Sequence, residues 1–225
     1  MGVIIRHKMN VLENNKSELF DVYPEIISRI LINREINNLE DADKFFNPKY
    51  DNDLHDPFLM SDMLKASLRV LDAIRKKERI TVYGDYDCDG IPASVIIHDF
   101  FRQIGFKNFE IYIPHRHNEG FGLNIDAVRD IVSRGTDLII TVDNGTTDIE
   151  SVAEANRLGV EVIITDHHEP KEILPSAYAI LNPKKKGDNY PYKFLSGSGV
   201  AFKFIQALAS LGDFDLKKSP KEARA

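Results

Sequence analysis

Apolar residues recur at two different spacings along this chain, and the change between them falls near residue 80. Before it, the spacing is helical. Pro24 opens a stretch with Ile26, Ile27, Ile30 and Leu31 at helical intervals, and a second short helix holds Ala42, Phe45 and Phe46 and stops at Asn47-Pro48. Asp51 to Asp56 reads as a polar linker ending at Pro57. Met63 to Lys77 follows as an amphipathic helix, with Leu64, Leu68, Leu71 and Ile74 expected on its buried face. From residue 80, short β-prone runs alternate with helical stretches. The runs are Ile80–Tyr83, Phe109–Ile113, Leu138–Val142, Val160–Ile164 and Tyr178–Leu181. Between them, Pro92 fits the first turn of a helix through Val95, Ile96 and Phe100. Gly135 closes a helix over Ile125–Ser133, and Gly159 closes one over Ile149–Leu158. Val200–Leu211 is the last helix.

Alternating strands and helices predict an α/β fold, a parallel sheet with helices on both faces, preceded by a small N-terminal helical segment. The expected division is a helical segment over 1–56, the α/β domain over 57–212 and a polar tail over 213–225. The chain has 225 residues and is 43% hydrophobic and 28% charged, enough to bury a core without disulfides. Its one cysteine, Cys88, excludes an intrachain disulfide framework and a Cys-based zinc site; it is expected to pack between its neighbours and not to act as a nucleophile. The net charge of −6 has the wrong sign for a protein that coats nucleic acid, but leaves room for a local basic groove. Lys184-Lys185-Lys186 is such a run, read as a solvated loop in preference to a DNA contact. No apolar run is long enough to span a bilayer, and Met1–Asn10 lacks a signal-peptide pattern, so a cytoplasmic setting is expected.

Three predicted strands run into acids or histidines. The first delivers Gly84-Asp85-Tyr86-Asp87-Cys88-Asp89-Gly90, the third Asp143-Asn144-Gly145, and the fourth Asp166-His167-His168. A parallel sheet brings these endings to one edge, where ligands of such folds bind. Mutually repelling carboxylates gathered there call for neutralisation, and mixed carboxylate and imidazole donors suit Mn²⁺, with Mg²⁺ as a substitute. A lone Asp-x-Asp is usually a turn and a lone His-His pair is weak; their joint occurrence carries the metal-site reading.

These segments, with Ile113-Pro114-His115-Arg116, Glu119-Gly120-Phe121-Gly122-Leu123, Asn182-Pro183, Tyr190-Pro191-Tyr192 and Gly197-Ser198-Gly199-Val200-Ala201-Phe202-Lys203, resemble the RecJ branch of the DHH phosphoesterases over about residues 22 to 210. The resemblance implies a two-metal phosphodiesterase that degrades single-stranded DNA 5′ to 3′ in repair and recombination. It implies metal ligands at Asp87, Asp89, Asp143 and His167, with Asp89 and Asp143 shared between two ions. Asp85 and His168 become ligands or orienters, and Asp166 orients a histidine. His115 and Arg116 are expected to grip a DNA phosphate, the 5′-terminal one among the candidates, with a surface salt bridge as the alternative. The helix start at Gly197, Ser198 and Gly199 offers amides for an anion, with simple close packing as the alternative. Relatives acting on short oligonucleotides or cyclic dinucleotides usually carry a His where this chain has Tyr83, which favours the exonuclease branch. A third reading is an inactive metal- or partner-binding fragment. Pro92 and Thr146 depart from the usual family residues. A further ligand Asp is expected past the segment matching Phe214-Asp215-Leu216, where this chain has Lys217-Lys218-Ser219-Pro220. The family's second catalytic half and oligonucleotide-binding fold are also missing, so a C-terminal half or a single-strand-binding protein is an expected partner.

Overall fold

The computed structural model describes residues 17–214; the Met1–Asn10 segment and the tail from Asp215 onward lie outside the described residues. The chain divides into two compact units, at 54/55. In the first, α1 (Leu19–Val22), α2 (Glu25–Ile32) and α3 (Leu39–Phe46) surround a small core of Leu19, Leu31 and Ala42. Asn38 caps α3 by accepting from the Asp41 amide at 2.8 Å. Ser28, buried, donates to the Leu19 carbonyl and ties α2 to α1.

The second unit opens with a 3₁₀ turn at Pro57–Leu59. It continues through α4 (Met63–Lys76), β1 (Ile80–Tyr83), α5 (Gly90–Gln103), β2 (Phe109–Tyr112), α6 (Ile125–Ser133), β3 (Leu138–Val142), α7 (Ile149–Arg157), β4 (Glu161–Thr165), β5 (Ala179–Leu181) and α8 (Gly197–Leu211). The five strands are all parallel, in the order β2-β1-β3-β4-β5. The period-2 alternation divides their side chains between two layers. Ile80, Val82, Leu138, Ile140 and Val142 pack with α4, α5 and α8. Tyr83, Ile139, Val162 and Ile164 pack with α6 and α7. Both sheet faces are thus covered, as the alternating pattern predicted. Gly135 and Gly159, at φ of 88° and 81°, terminate α6 and α7 in the left-handed conformation that glycine adopts without a Cβ clash.

The strand order reverses at β1. The chain leaves it for β2 on one side, then crosses back to β3 on the other. The loops after β1 and β3 therefore diverge into opposite layers and open a crevice between them, at the carboxyl edge of the sheet.

α4 turns a different face inward from the one its leucines suggest. Met63, Ala66, Ser67, Val70 and Ala73 are buried, while Leu64 and Leu68 are each 52% exposed; Leu71 and Ile74 flank the core. Small residues let α4 approach α8 and β5 closely, and close packing outweighs leucine area here. Cys88 is exposed and not packed between its neighbours. α8 begins at Gly197, three residues before the apolar run signals it, because Ser196 caps it through the Gly199 amide.

Candidate metal centre

The loop after β1 folds on its own carboxylates. Asp87 Oδ1 accepts from the amides of Asp89 and Gly90, both at 2.8 Å, which holds its pKa down. Asp85, almost fully buried, accepts from the Tyr86 amide at 2.7 Å, yet burial pushes its pKa up. Gly90 is required by close approach, since a Cβ there would lie 2.7 Å from the Asp85 carbonyl oxygen.

Asp143, at the end of β3, sits where the loops meet. Its backbone is left-handed, φ 63°, an uncommon conformation for a non-glycine residue that concentrates at functional sites. Its carboxylate is 1% exposed, and neither oxygen receives a hydrogen bond. His167 Nε2 stands 3.1 Å from Oδ1 but out of line for a bond. Burial first, then the charges of Asp89 and Asp87, push the Asp143 carboxyl up to about 8. Asp143 belongs to two ligand groups whose donor atoms all lie within 4.8 Å of one another: Asp143 with His167 and His168, and Asp143 with Asp85 and Asp87.

The β4 end is built the opposite way. Asp166 is equally buried but saturated, accepting from the Thr146 amide (2.9 Å), the His167 amide (2.7 Å), the His168 amide (3.2 Å) and His168 Nδ1 (2.8 Å). Burial raises its pKa, but the His168 and Thr146 bonds outweigh this and hold it low. In return, the Asp166 bond raises the pKa of His168. With Nδ1 engaged, Nε2 is the His168 nitrogen left for a ligand, the arrangement by which a carboxylate fixes a ligating imidazole. Asn182 completes the support, donating to the His168 carbonyl and to Thr146 Oγ1.

Asp89 lies in neither ligand group. It is 3.6 Å from His167 Nε2 and is held at the start of α8, accepting from the Gly197 amide (2.6 Å), the Ser198 amide (2.9 Å) and Ser198 Oγ (2.7 Å). Burial raises the Asp89 pKa, but these bonds dominate and hold it low. The anion on the Gly197 and Ser198 amides is thus a carboxylate of the chain itself, and Gly199 caps back to Ser196. Gly197 has a second role: a Cβ there would overlap Asp143 Oδ1, so only glycine lets α8 close over the site.

His115 and Arg116 are exposed on the loop after β2. The Arg116 guanidinium lies 4.6 Å over the Tyr86 ring, inside the metal-side loop, and its charge reaches Asp85. The chain carrying them is clamped at several points. Glu119 accepts from the His115 amide (2.6 Å) and from the Tyr112 hydroxyl. The buried Tyr83 hydroxyl donates to the Gly122 carbonyl at 3.1 Å, and Asp148 accepts from the Leu123 amide at 2.7 Å. These clamps place exposed Phe121 edge-on against His168, ring centroids 5.4 Å apart. Asp148 escaped the functional reading of the sequence, and Tyr83, Phe121 and Asn182 entered it only as motif positions, since their contacts join distant loops. Lys185 of the basic run is tied to Asp62 Oδ2 (2.7 Å) and the Ile180 carbonyl (2.9 Å), a structural role and not a solvated one.

The residues fit divalent cations on this structure's own terms. Asp143, with both carboxylate oxygens buried and without partners, belongs to two donor groups of the oxygen and imidazole type that Mn²⁺ and Mg²⁺ accept. The model of the family described as "DHH family, N-terminal domain" matches residues 79–224. The single-stranded-DNA-specific exonuclease RecJ of Bacillus subtilis is 44% identical over 184 residues, which span 81% of this chain and 23% of that protein. RecJ of Escherichia coli K12 is 40% identical over 149 residues, 66% of this chain and 26% of the relative. The chain thus spans about a quarter of the length of these curated relatives. Among solved structures, an exonuclease RecJ bound to manganese matches with a TM-score of 0.63 at 32% identity, over 70% of this chain and 40% of that one. RecJ from Thermus thermophilus with Mn²⁺ matches at 0.62 and 28% identity, over 80% of this chain and 24% of that one. On the family match, which takes in well over half of its residues, the chain belongs to the DHH family and carries that family's N-terminal domain.

Proposed function

We propose that this chain is the catalytic lobe of a two-metal phosphodiesterase that removes nucleotides from the 5′ end of single-stranded DNA. The observation that carries the proposal is Asp143: buried, without a hydrogen-bond donor, and common to two ligand groups. In this reading Asp85, Asp87 and Asp143 would hold one cation, and Asp143, His167 and His168 the other. Bound divalent ions would supply Lewis-acid polarisation of the phosphate and acidification of a water. Asp166 keeps His168 in one tautomer and orientation. Asp89, held on the first turn of α8, keeps that helix against the site and, 3.6 Å from His167, would be a further carboxylate available to a cation there. Arg116, on the rim over Tyr86, grips the 5′ phosphate through its planar fork.

The RecJ relatives are named for action on single-stranded DNA, and two are solved with manganese, which supports this substrate and metal. We further propose a cytoplasmic location, with residues 57–212 as the phosphoesterase domain and the helices over Leu19–Phe46 as part of an appendage before it. No helix among the described residues is long and apolar enough to cross a membrane. The test is a Mn²⁺-dependent assay of 5′-phosphorylated single-stranded DNA against a dinucleotide. Release of mononucleotides from the longer strand is expected. Turnover of the dinucleotide alone would move the chain to the short-oligonucleotide branch. Arg116→Lys should weaken binding of 5′-phosphorylated DNA about tenfold, and much less for a 5′-hydroxyl strand, because lysine keeps the charge and loses the fork.

A further inference from the structure

The strand order lays the loops at the carboxyl edge out in a line. The β2 loop carries Arg116, the β1, β3 and β4 loops carry the candidate ligands, and the β5 loop carries Pro183 and Lys184 at the far side. Beyond the metal centre on that far side is an open groove of about 420 Å³. It begins at Glu169, one residue after His168, and its other wall ends at Phe194, three residues before Gly197. It is therefore bounded by the two segments that also build the metal centre.

Its lining combines one exposed ring with cationic heads. Phe194 is 77% exposed, the most exposed large apolar side chain among the described residues. Tyr192, half exposed, meets it edge to face at 6.0 Å and supports it from the side. The pair therefore presents one open aromatic face to solvent, which a base can cover. Lys193 Nζ donates to the Asp188 carbonyl at 2.8 Å, which fixes its position without neutralising it. Lys184 Nζ is 3.9 Å from Glu169, a loose pair with a carboxylate that is 84% exposed and free to swing away. The second acid, Asp188, is consumed by Ser61 and the Tyr190 amide.

We infer that this groove is a nucleotide subsite for the strand on the 3′ side of the scissile phosphate, with Phe194 stacking a base and Lys184 and Lys193 facing the backbone. The inference rests on the exonuclease reading above and deepens it. Two interstrand spacings separate β3 from β5, roughly 10 Å. This distance suits the second nucleotide beyond the metals, which a dinucleotide lacks. An aromatic face stacks any base, so the subsite adds affinity without sequence preference, as an exonuclease requires.

The test compares two 5′-phosphorylated, phosphorothioate-linked strands in Mn²⁺: a thymidine dinucleotide, which ends before the groove, and a hexanucleotide, which fills it. Phe194→Ala should weaken hexanucleotide binding about tenfold and leave the dinucleotide unchanged. Lys184→Ala should weaken the hexanucleotide and reduce the salt dependence of its binding by about one phosphate contact. Retained Mn²⁺ affinity in both variants verifies the fold. Unchanged hexanucleotide affinity in Phe194→Ala, or equal losses on both strands, would overturn the subsite while leaving the exonuclease reading in place. A wild-type chain that holds Mn²⁺ but binds neither strand would overturn the exonuclease reading itself, and the subsite with it.

Discussion

The ends of β3 and β4 place the same residue type in the same degree of burial and give it opposite chemistry. Asp143 and Asp166 are each 1% exposed. Asp166 accepts four hydrogen bonds and is held ionised. Asp143 accepts none, stands among other acids, and is pushed up to about 8. Burial alone therefore does not assign a carboxylate its role. The saturated aspartate is scaffold: its charge is spent on backbone amides and one imidazole. The unsaturated one is an uncompensated site, which the fold sustains by holding a proton there or, when one binds, a cation.

That contrast is testable from both ends. The largest effect is expected from Asp143→Asn, which removes the carboxylate common to both ligand groups. Mn²⁺ affinity by titration calorimetry should fall by more than about a hundredfold, while the metal-free protein should melt at the same or a higher temperature, because a repelling buried acid is gone. A drop in metal-free stability would mean that Asp143 is structural. Asp166→Asn should do the reverse in kind. It turns an acceptor into a partial donor facing three amides, so a loss of about 1–3 kcal/mol in stability is expected. Metal affinity should fall by roughly 10–100-fold through the loosened His168. Chemical denaturation in EDTA separates the two variants.

A subtler effect is expected in the pH dependence. The folded-state pKa of Asp143 lies above its unfolded value, so the native state binds the extra proton. Its contribution to stability is therefore present at low pH and is lost as pH rises through about 8. Melting temperatures in EDTA should carry this fall, and saturating Mn²⁺ should remove it, since the cation replaces the proton. Parallel profiles with and without metal would refute Asp143 as the titrating ligand.

The parallel sheet was readable from the chain because each strand is a short β-prone run with glycine, asparagine or aspartate on at least one side, and because Gly135 and Gly159 close the helices between strands. The gathering of acids and histidines at one edge followed from that topology. The buried face of α4 was not readable. Its leucines and its small residues both recur at helical spacing, and only the fit against α8 and β5 decides between them. Lys185 was equally opaque: its partner Asp62 is 123 residues away.

What the sequence determined by itself is the set of local signals: strand and helix periods, the capping residues, and the short acidic and histidine motifs, all of which act within a few residues. What only the tertiary structure decided is how those motifs divide their labour. Whether an aspartate is saturated or orphaned, whether Gly197 can close on Asp143, and whether Tyr83 reaches Gly122 depend on hydrogen-bond donors and van der Waals contacts brought from distant segments. Such interactions fall off within a few ångströms in space and are indifferent to separation along the chain.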